Sequence, residues 1–250
     1  VACTRRPLLR RFQGGNESSR HTPAMSRANP AKPDADTTRL AWRSTRAWAW
    51  MLGILIAGFT FDLGTKHWAF SNLTASPIHL DRERLLADPD HQPIPMHEPH
   101  ALLPGDLLTV RLVINRGAVF GIADNQRLFF ICFTIAALSF ALFLFARRTI
   151  AGHHHVHLAI GLVFAGGLGN LYDRVRFGVV RDFLQFLPDV RLPFGWTWPG
   201  NNPELMPWVF NPADLFLLIG MVILFVYINR RRRSENANTA RLDVGLDESV

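Results

Sequence analysis

Three polar side chains, Asp62, Asn170 and Asp214, stand at the ends of long apolar runs, where facing lipid would be costly. Carboxylates so placed pass protons or ions, activate water for hydrolysis, or brace a helix. Asp62 and Lys66 have the i, i+4 spacing of one helix face. A helix-end ion pair with the lysine snorkelling outward and a place in a buried site are both open. Asp214 follows Asn211-Pro212, which suits an anion on a helix N-terminus as well as a reactive group. Adjacent Asp173 and Arg174 suit an interfacial charge pair or a site. His153, His154, His155 and His157 invite a metal but have no carboxylate beside them, so a solvated loop is favoured. Gly166, Gly167 and Gly169 resemble a phosphate loop but lack its lysine, and close helix packing explains them better. Cys3 and Cys132 are too few for a disulfide framework or a four-cysteine metal site. No histidine is placed to activate a serine or cysteine near the three polar groups. Neither metal nor cofactor is therefore expected.

Composition sets these groups in a bilayer. Of 250 residues 48% are hydrophobic and 19% charged, with 19 Phe and 7 Trp, too apolar for a disordered chain and too poor in charge for an ordinary soluble domain. Residues 1–47 hold ten Arg or Lys against three Asp or Glu, the whole of the +7 net charge, so the remainder has no basic face for nucleic acid. Apolar runs at 48–61, 128–146, 156–172 and 215–228 give four spans. Arg39, Arg43 and Arg46 precede the first, Arg147 and Arg148 follow the second, and 230–233 follow the fourth. The positive-inside rule then puts both termini and the 147–155 loop in the cytoplasm, with loops 67–126 and 174–212 outside.

A rise of about 1.5 Å per residue sets Asp62 roughly 21 Å from Trp48, Asn170 roughly 20 Å from His157 and Asp214 roughly 22 Å from Asn229. All three share one layer a little below the outer surface of a core about 30 Å thick. A transporter or proton-conducting subunit would continue its polar residues toward the cytoplasm, and the inner halves of these spans have almost none. A structural scaffold has no need of polar groups at one level. The fold expected is an all-α membrane protein of four transmembrane helices with a small extracytoplasmic β element between the first and second, built on 107–114 (LLTVRLVI). Residues 1–47 read as a disordered basic cytoplasmic tail, 48–230 as the membrane domain and 231–250 as a mobile polar cytoplasmic tail. Met25 is an alternative to Val1 as the first residue. The first apolar run ends without a small-residue cleavage site, so no cleaved signal peptide is expected. Loops 75–105 and 188–208 look irregular, the second offering Trp196, Trp198 and Trp208 to the membrane interface.

Three strings lift this reading: NRGAVFGI at 115–122, GGLGNLYDRVRFGVVRDF at 166–183 and FNPADLFLLIG at 210–220, with the weaker DLGTKHW at 62–68. Together they resemble the lipoprotein signal peptidases, the signal peptidase II family of bacterial intramembrane aspartyl proteases. The resemblance implies a monomeric multi-pass enzyme of the bacterial inner membrane, in contact with membrane lipid and open to globomycin-type inhibitors. It would cut a diacylglyceryl-modified prolipoprotein just before the lipid-bearing cysteine. Carried over by motif, the catalytic aspartates fall at Asp182 and Asp214. Asn115, Asn170, Arg174 and Asn211 fall at polar site positions, with Asp62, Lys66 and Asp173 in support. Asp182 lies off the layer counted along helices; a break at Gly178 that turns the chain back would bring it to Asp214. The basic tail and enlarged outer loops depart from a compact family member.

Overall fold

The computed structural model describes residues 39–88, 90–117 and 127–247, from 238 onward as backbone alone. Four of its helices are long and apolar enough to cross a membrane. The first, α1 (Thr45–Asn72), starts at Ser44, whose hydroxyl accepts the Ala47 N–H at 3.3 Å. A short α2 (Arg82–Ala87) follows, and then α3 (Arg127–Arg148), α4 (His154–Arg176) and α5 (Pro212–Asp247). The helices outrun the charge-free stretches read from sequence. α1 continues past Phe61 through Asp62 and Lys66 because both side chains find partners inside the bundle.

α4 is the axis. Its span is 61% buried, against 17–22% for the other three, so α1, α3 and α5 wrap it and turn their remaining faces outward. Its glycines permit this. A Cβ at Gly166 would strike the Ala213 carbonyl and Leu217, and one at Gly167 would meet Leu138. Close packing, rather than a phosphate loop, is therefore their role.

One expectation about the tails needs correction. Residues 39–47 do not belong to a disordered tail: Leu40 pairs with Ile150, the Ala41 N–H donates to the Thr149 carbonyl at 2.8 Å, and Ala41 and Ala47 are buried with Met51, Phe145 and Val156. Residues 1–38 of that tail lie outside the described residues. At the other end α5 runs on as helix to Asp247, with an i, i+4 pair of Arg231 and Glu235 at 2.8 Å, so the polar segment 231–247 is helical. No proline breaks the pattern there.

The β element is larger than expected. Four antiparallel strands lie in the order β1 (His100–Ala101), β2 (Leu108–Asn115), β3 (Val180–Phe186) and β4 (Val209–Phe210). Two of them come from between α4 and α5, not from between the first and second spans. The cause is local. α4 ends at Arg176, and Gly178 takes φ +85°, a left-handed conformation that glycine adopts freely, sending the chain back as β3. A Cβ there would also press on Leu86 of α2. β2 pairs with β3 through Val113 opposite Asp182 and Val110 opposite Leu184; three steps on β2 match two on β3, a bulge beside Asp182. Thus 75–105 holds a helix and a strand. In 188–208, Phe194 and Trp196 are exposed, while Trp198 packs edge-on to Trp208 at 4.8 Å.

Candidate active site

The last span begins with a reciprocal cap. Asn211 Oδ1 accepts the Asp214 N–H at 3.1 Å, and Asp214 Oδ2 accepts the Asn211 N–H at 3.1 Å. This is a capping box with aspartate in the place of glutamate, and Pro212 takes the first helical position, where no N–H is needed. Asp214 is thus a helix-terminal anion, yet its other oxygen is engaged elsewhere: Oδ1 accepts Asn170 Nδ2 at 2.7 Å. The helix-terminal role open to it in the sequence is realised, and the remaining oxygen faces the other polar groups of this layer.

Asn211 joins the site's three elements. Its Nδ2 donates to Asp182 Oδ1 at 2.6 Å and to Asn170 Oδ1 at 3.0 Å. Asp182 on β3, Asn170 on α4 and Asp214 on α5 therefore meet on a single amide. The chain does turn back at Gly178, and that turn carries Asp182 to this layer. Asn115, at the end of β2, also hydrogen-bonds Asp182, and its Oδ1 accepts the Gly117 N–H at 2.8 Å. The rest of that motif, 118–122, lies outside the described residues.

Behind these groups lies a charged layer with no access to solvent. Asp62, Lys66 and Asp173 are each 0% exposed. Lys66 Nζ reaches Asp62 Oδ2 at 2.8 Å, Asn170 Oδ1 at 3.1 Å and Asp173 Oδ2 at 3.4 Å. The lysine points inward, so the snorkelling helix-end pair is excluded. Asp62 Oδ1 accepts the Ala213 N–H at 3.0 Å, satisfying one more free donor of α5. Gly169 leaves room for that carboxylate; a methyl there would collide with it.

Asp173 does not pair with adjacent Arg174. It pairs with Arg181, whose Nη2 lies 2.8 Å from Oδ1 and whose backbone N–H reaches Oδ2 at 3.1 Å. Arg181 is the residue that sequence reasoning missed. Its position beside Asp182 was a signal, but strand alternation alone does not say that a buried carboxylate waits eight residues back. Its guanidinium also lies 4.6 Å from the Phe177 ring centroid. Arg174 instead stacks on an aromatic ring: its guanidinium is 5.0 Å from the Phe130 ring centroid, half-buried, facing the charges of Asp214 and Asp182.

Electrostatics separate the two carboxyls. Asp182 is 1% exposed, and burial first, with the Asp214 charge second, pushes its pKa up to about 7. Asp214 is half-buried. Two carboxyls held by one asparagine, one through its side-chain amide and one through its backbone N–H, can hold one proton between them at neutral pH when one of them is reluctant to ionise. Such a pair can accept a proton from water and give one to a carbonyl oxygen.

His153, His154, His155 and His157 sit at the opposite end of the bundle. His153 caps α4 and His157 lies fully buried within it, so the solvated-loop expectation fails for His157.

Comparison with known proteins agrees with the motifs. The family model for signal peptidase (SPase) II matches residues 54–230. The lipoprotein signal peptidase of Halothermothrix orenii is 37% identical over 123 residues, covering 49% of this chain and 71% of that protein. That of Nitratidesulfovibrio vulgaris is 32% identical over 151 residues, covering 58% and 81%. A bacterial membrane enzyme solved by the in meso method at 1.9 Å resolution is 25% identical, with a TM-score of 0.51 over 71% of this chain and 91% of its own. Four spans and a match over most of their length make this chain a multi-pass membrane peptidase that belongs to the signal peptidase II family.

Proposed function

We propose that the chain is an aspartyl endopeptidase that removes signal peptides from diacylglyceryl-modified prolipoproteins, cutting just before the lipid-bearing cysteine. The observation that carries this is Asn211, which hydrogen-bonds Asp182 through its side chain and Asp214 through its backbone N–H. Asp182, the more deeply buried carboxyl, carries the shared proton. Asp214 takes a proton from the attacking water while Asp182 gives its own to the scissile carbonyl oxygen. As the C–N bond of the tetrahedral gem-diol breaks, Asp214 passes its proton to the leaving amine and Asp182 takes one back from a gem-diol hydroxyl, so the dyad returns to its starting state. Asn115 and Asn170 orient the carboxyls. Arg174 offsets negative charge beside them, and Asp62, Lys66 and Asp173 hold the helix ends in register.

The arginine clusters at 39–46, 147–148 and 230–233 lie at the end of the bundle away from the dyad, which favours an inner-membrane orientation with both termini cytoplasmic. The dyad then lies near the outer face, the depth at which a lipid's glycerol meets a signal peptide. The enzyme works as a monomer, since all the site groups come from one chain.

The test is incubation of the purified chain with a diacylglyceryl prolipoprotein, read as a gel shift. Cleavage before the modified cysteine, blocked by globomycin and unaffected by EDTA, is the expected result. No cleavage, or cleavage abolished by EDTA and restored by zinc, would overturn the aspartyl assignment.

A further inference from the structure

At the end of the bundle remote from the dyad, α4 and α5 leave a cavity of about 660 Å³. Val222 and Val226 line its floor, and His155, Arg230, Arg231 and Ser234 line its rim; no carboxylate is among the lining residues. The rim is held in place. His153 Nδ1 and the Tyr227 hydroxyl are 3.0 Å apart, and Arg231 donates to the Arg148 carbonyl at 3.2 Å and to Glu235 at 2.8 Å. Arg230 makes no ion pair among the described residues. Burial first, and then the charges of His155, Arg231 and His154, hold the His153 imidazole below its usual pKa, as expected where positive groups crowd together.

The floor opens onto apolar surface. Met221, Val222, Phe225 and Val226 are 41–67% exposed on the outward face of a membrane-spanning helix. From Arg230 down to Val222 is roughly 12 Å along the axis. A cationic rim over an apolar floor fits a molecule with an anionic head and a hydrocarbon body, and basic pockets between transmembrane helices bind such headgroups. We propose that this cavity seats one anionic phospholipid, its phosphodiester on Arg230, Arg231 and His155, its glycerol hydroxyls near Ser234, and an acyl chain along Val222 and Val226. Free phosphate satisfies the rim but leaves the floor uncovered.

The test titrates the full-length chain in neutral detergent with dioleoylphosphatidylglycerol, dioleoylphosphatidylcholine or inorganic phosphate, counting bound molecules by native mass spectrometry. One phosphatidylglycerol per chain should be retained at least tenfold more tightly than phosphatidylcholine, with no retention of phosphate. Arg230→Gln with Arg231→Gln should lose that preference. Arg232→Gln with Arg233→Gln, an equal loss of charge outside the lining, should keep it. Val226→Trp, which fills the floor and leaves every charge in place, should weaken retention at least fivefold. Prolipoprotein cleavage by each variant reports that it is folded. Equal retention of the two lipids, an unaltered preference in the Arg230/Arg231 variant, full retention by Val226→Trp, or phosphate held as tightly as lipid would each overturn the assignment.

Discussion

At the sheet end of the bundle Lys66, wholly buried, has Asp62 at 2.8 Å, Asn170 at 3.1 Å and Asp173 at 3.4 Å around its ammonium. At the other end His157, equally buried, makes no well-formed hydrogen bond at either ring nitrogen among the described residues and has only the Ile150 backbone within weak reach; its neighbour is the Phe145 ring, edge-on at 5.6 Å. One end keeps buried charge by surrounding it with fixed partners. The other buries only a ring that can remain neutral and leaves its permanent charges, the arginines, exposed. The contrast suits the proposed proton-sharing pair to the sheet end. Such a pair needs donors that do not rearrange, and Asn211, Asn170 and the start of α5 are locked by the charged layer behind them.

Removing a partner from the paired end should have the largest effect on stability. Lys66→Met leaves Asp62 and Asp173 buried with less compensation, and a loss of about 3–5 kcal/mol is expected on breaking one side of such a group. Adding Asp62→Asn removes one orphaned charge, so part of the loss should return. Unfolding of both variants in mixed micelles checks this; equal stability of Lys66→Met and the unaltered chain would show that the layer is not a coupled unit.

A smaller effect follows from the raised pKa of Asp182. Because the folded-state value, about 7, lies above the ordinary 3.8, the stability linked to its protonation is complete below about pH 4 and is lost as pH rises through 7. Asp182→Asn has no such proton to lose. Its melting temperature relative to the unaltered chain should climb between pH 4 and pH 8, and a difference that stays constant across that window would contradict the assigned pKa. Cleavage by the unaltered chain should fall over the same upper range as the shared proton leaves.

The smallest change belongs to the unpaired end. His157→Phe removes two nitrogens without a well-formed hydrogen bond at little change in volume, so stability should hold or rise by up to about 1–2 kcal/mol. A loss of several kcal/mol would mean that His157 is engaged and that the two ends are more alike than their geometry indicates.

Spacing alone made part of this site legible. Counting helical rise placed Asp62, Asn170 and Asp214 at one level, and the structure links them through Lys66 and direct hydrogen bonds, because straight helices preserve that arithmetic. Asp182 was legible only through its motif: it rides a strand, and no helical count reaches past the φ +85° turn at Gly178. Arg181 was not found, since its role depends on which face of β3 meets Asp173, a matter of sheet register. The sheet itself was half visible. LLTVRLVI announced β2, whereas β3 and β4 look like continuations of loops until they pair. Segment 39–47 was misjudged because polar composition does not reveal a backbone pairing such as Leu40 with Ile150, and the helical course of 231–247 was not foreseen because its polar sequence does not mark a helix carried onward from a span.

The central claim, that Asp182 and Asp214 act as one proton-sharing pair, is tested most directly by prolipoprotein cleavage with Asp182→Asn and Asp214→Asn, each purified at matched yield and thermal stability. Each replacement is nearly isosteric and leaves the fold in place, while removing either the shared acid or the base. The account predicts that each alone lowers turnover by at least about 10²–10⁴-fold, while Asp173→Asn and Asp62→Asn retain partial activity. Near-normal cleavage by either dyad variant would contradict it.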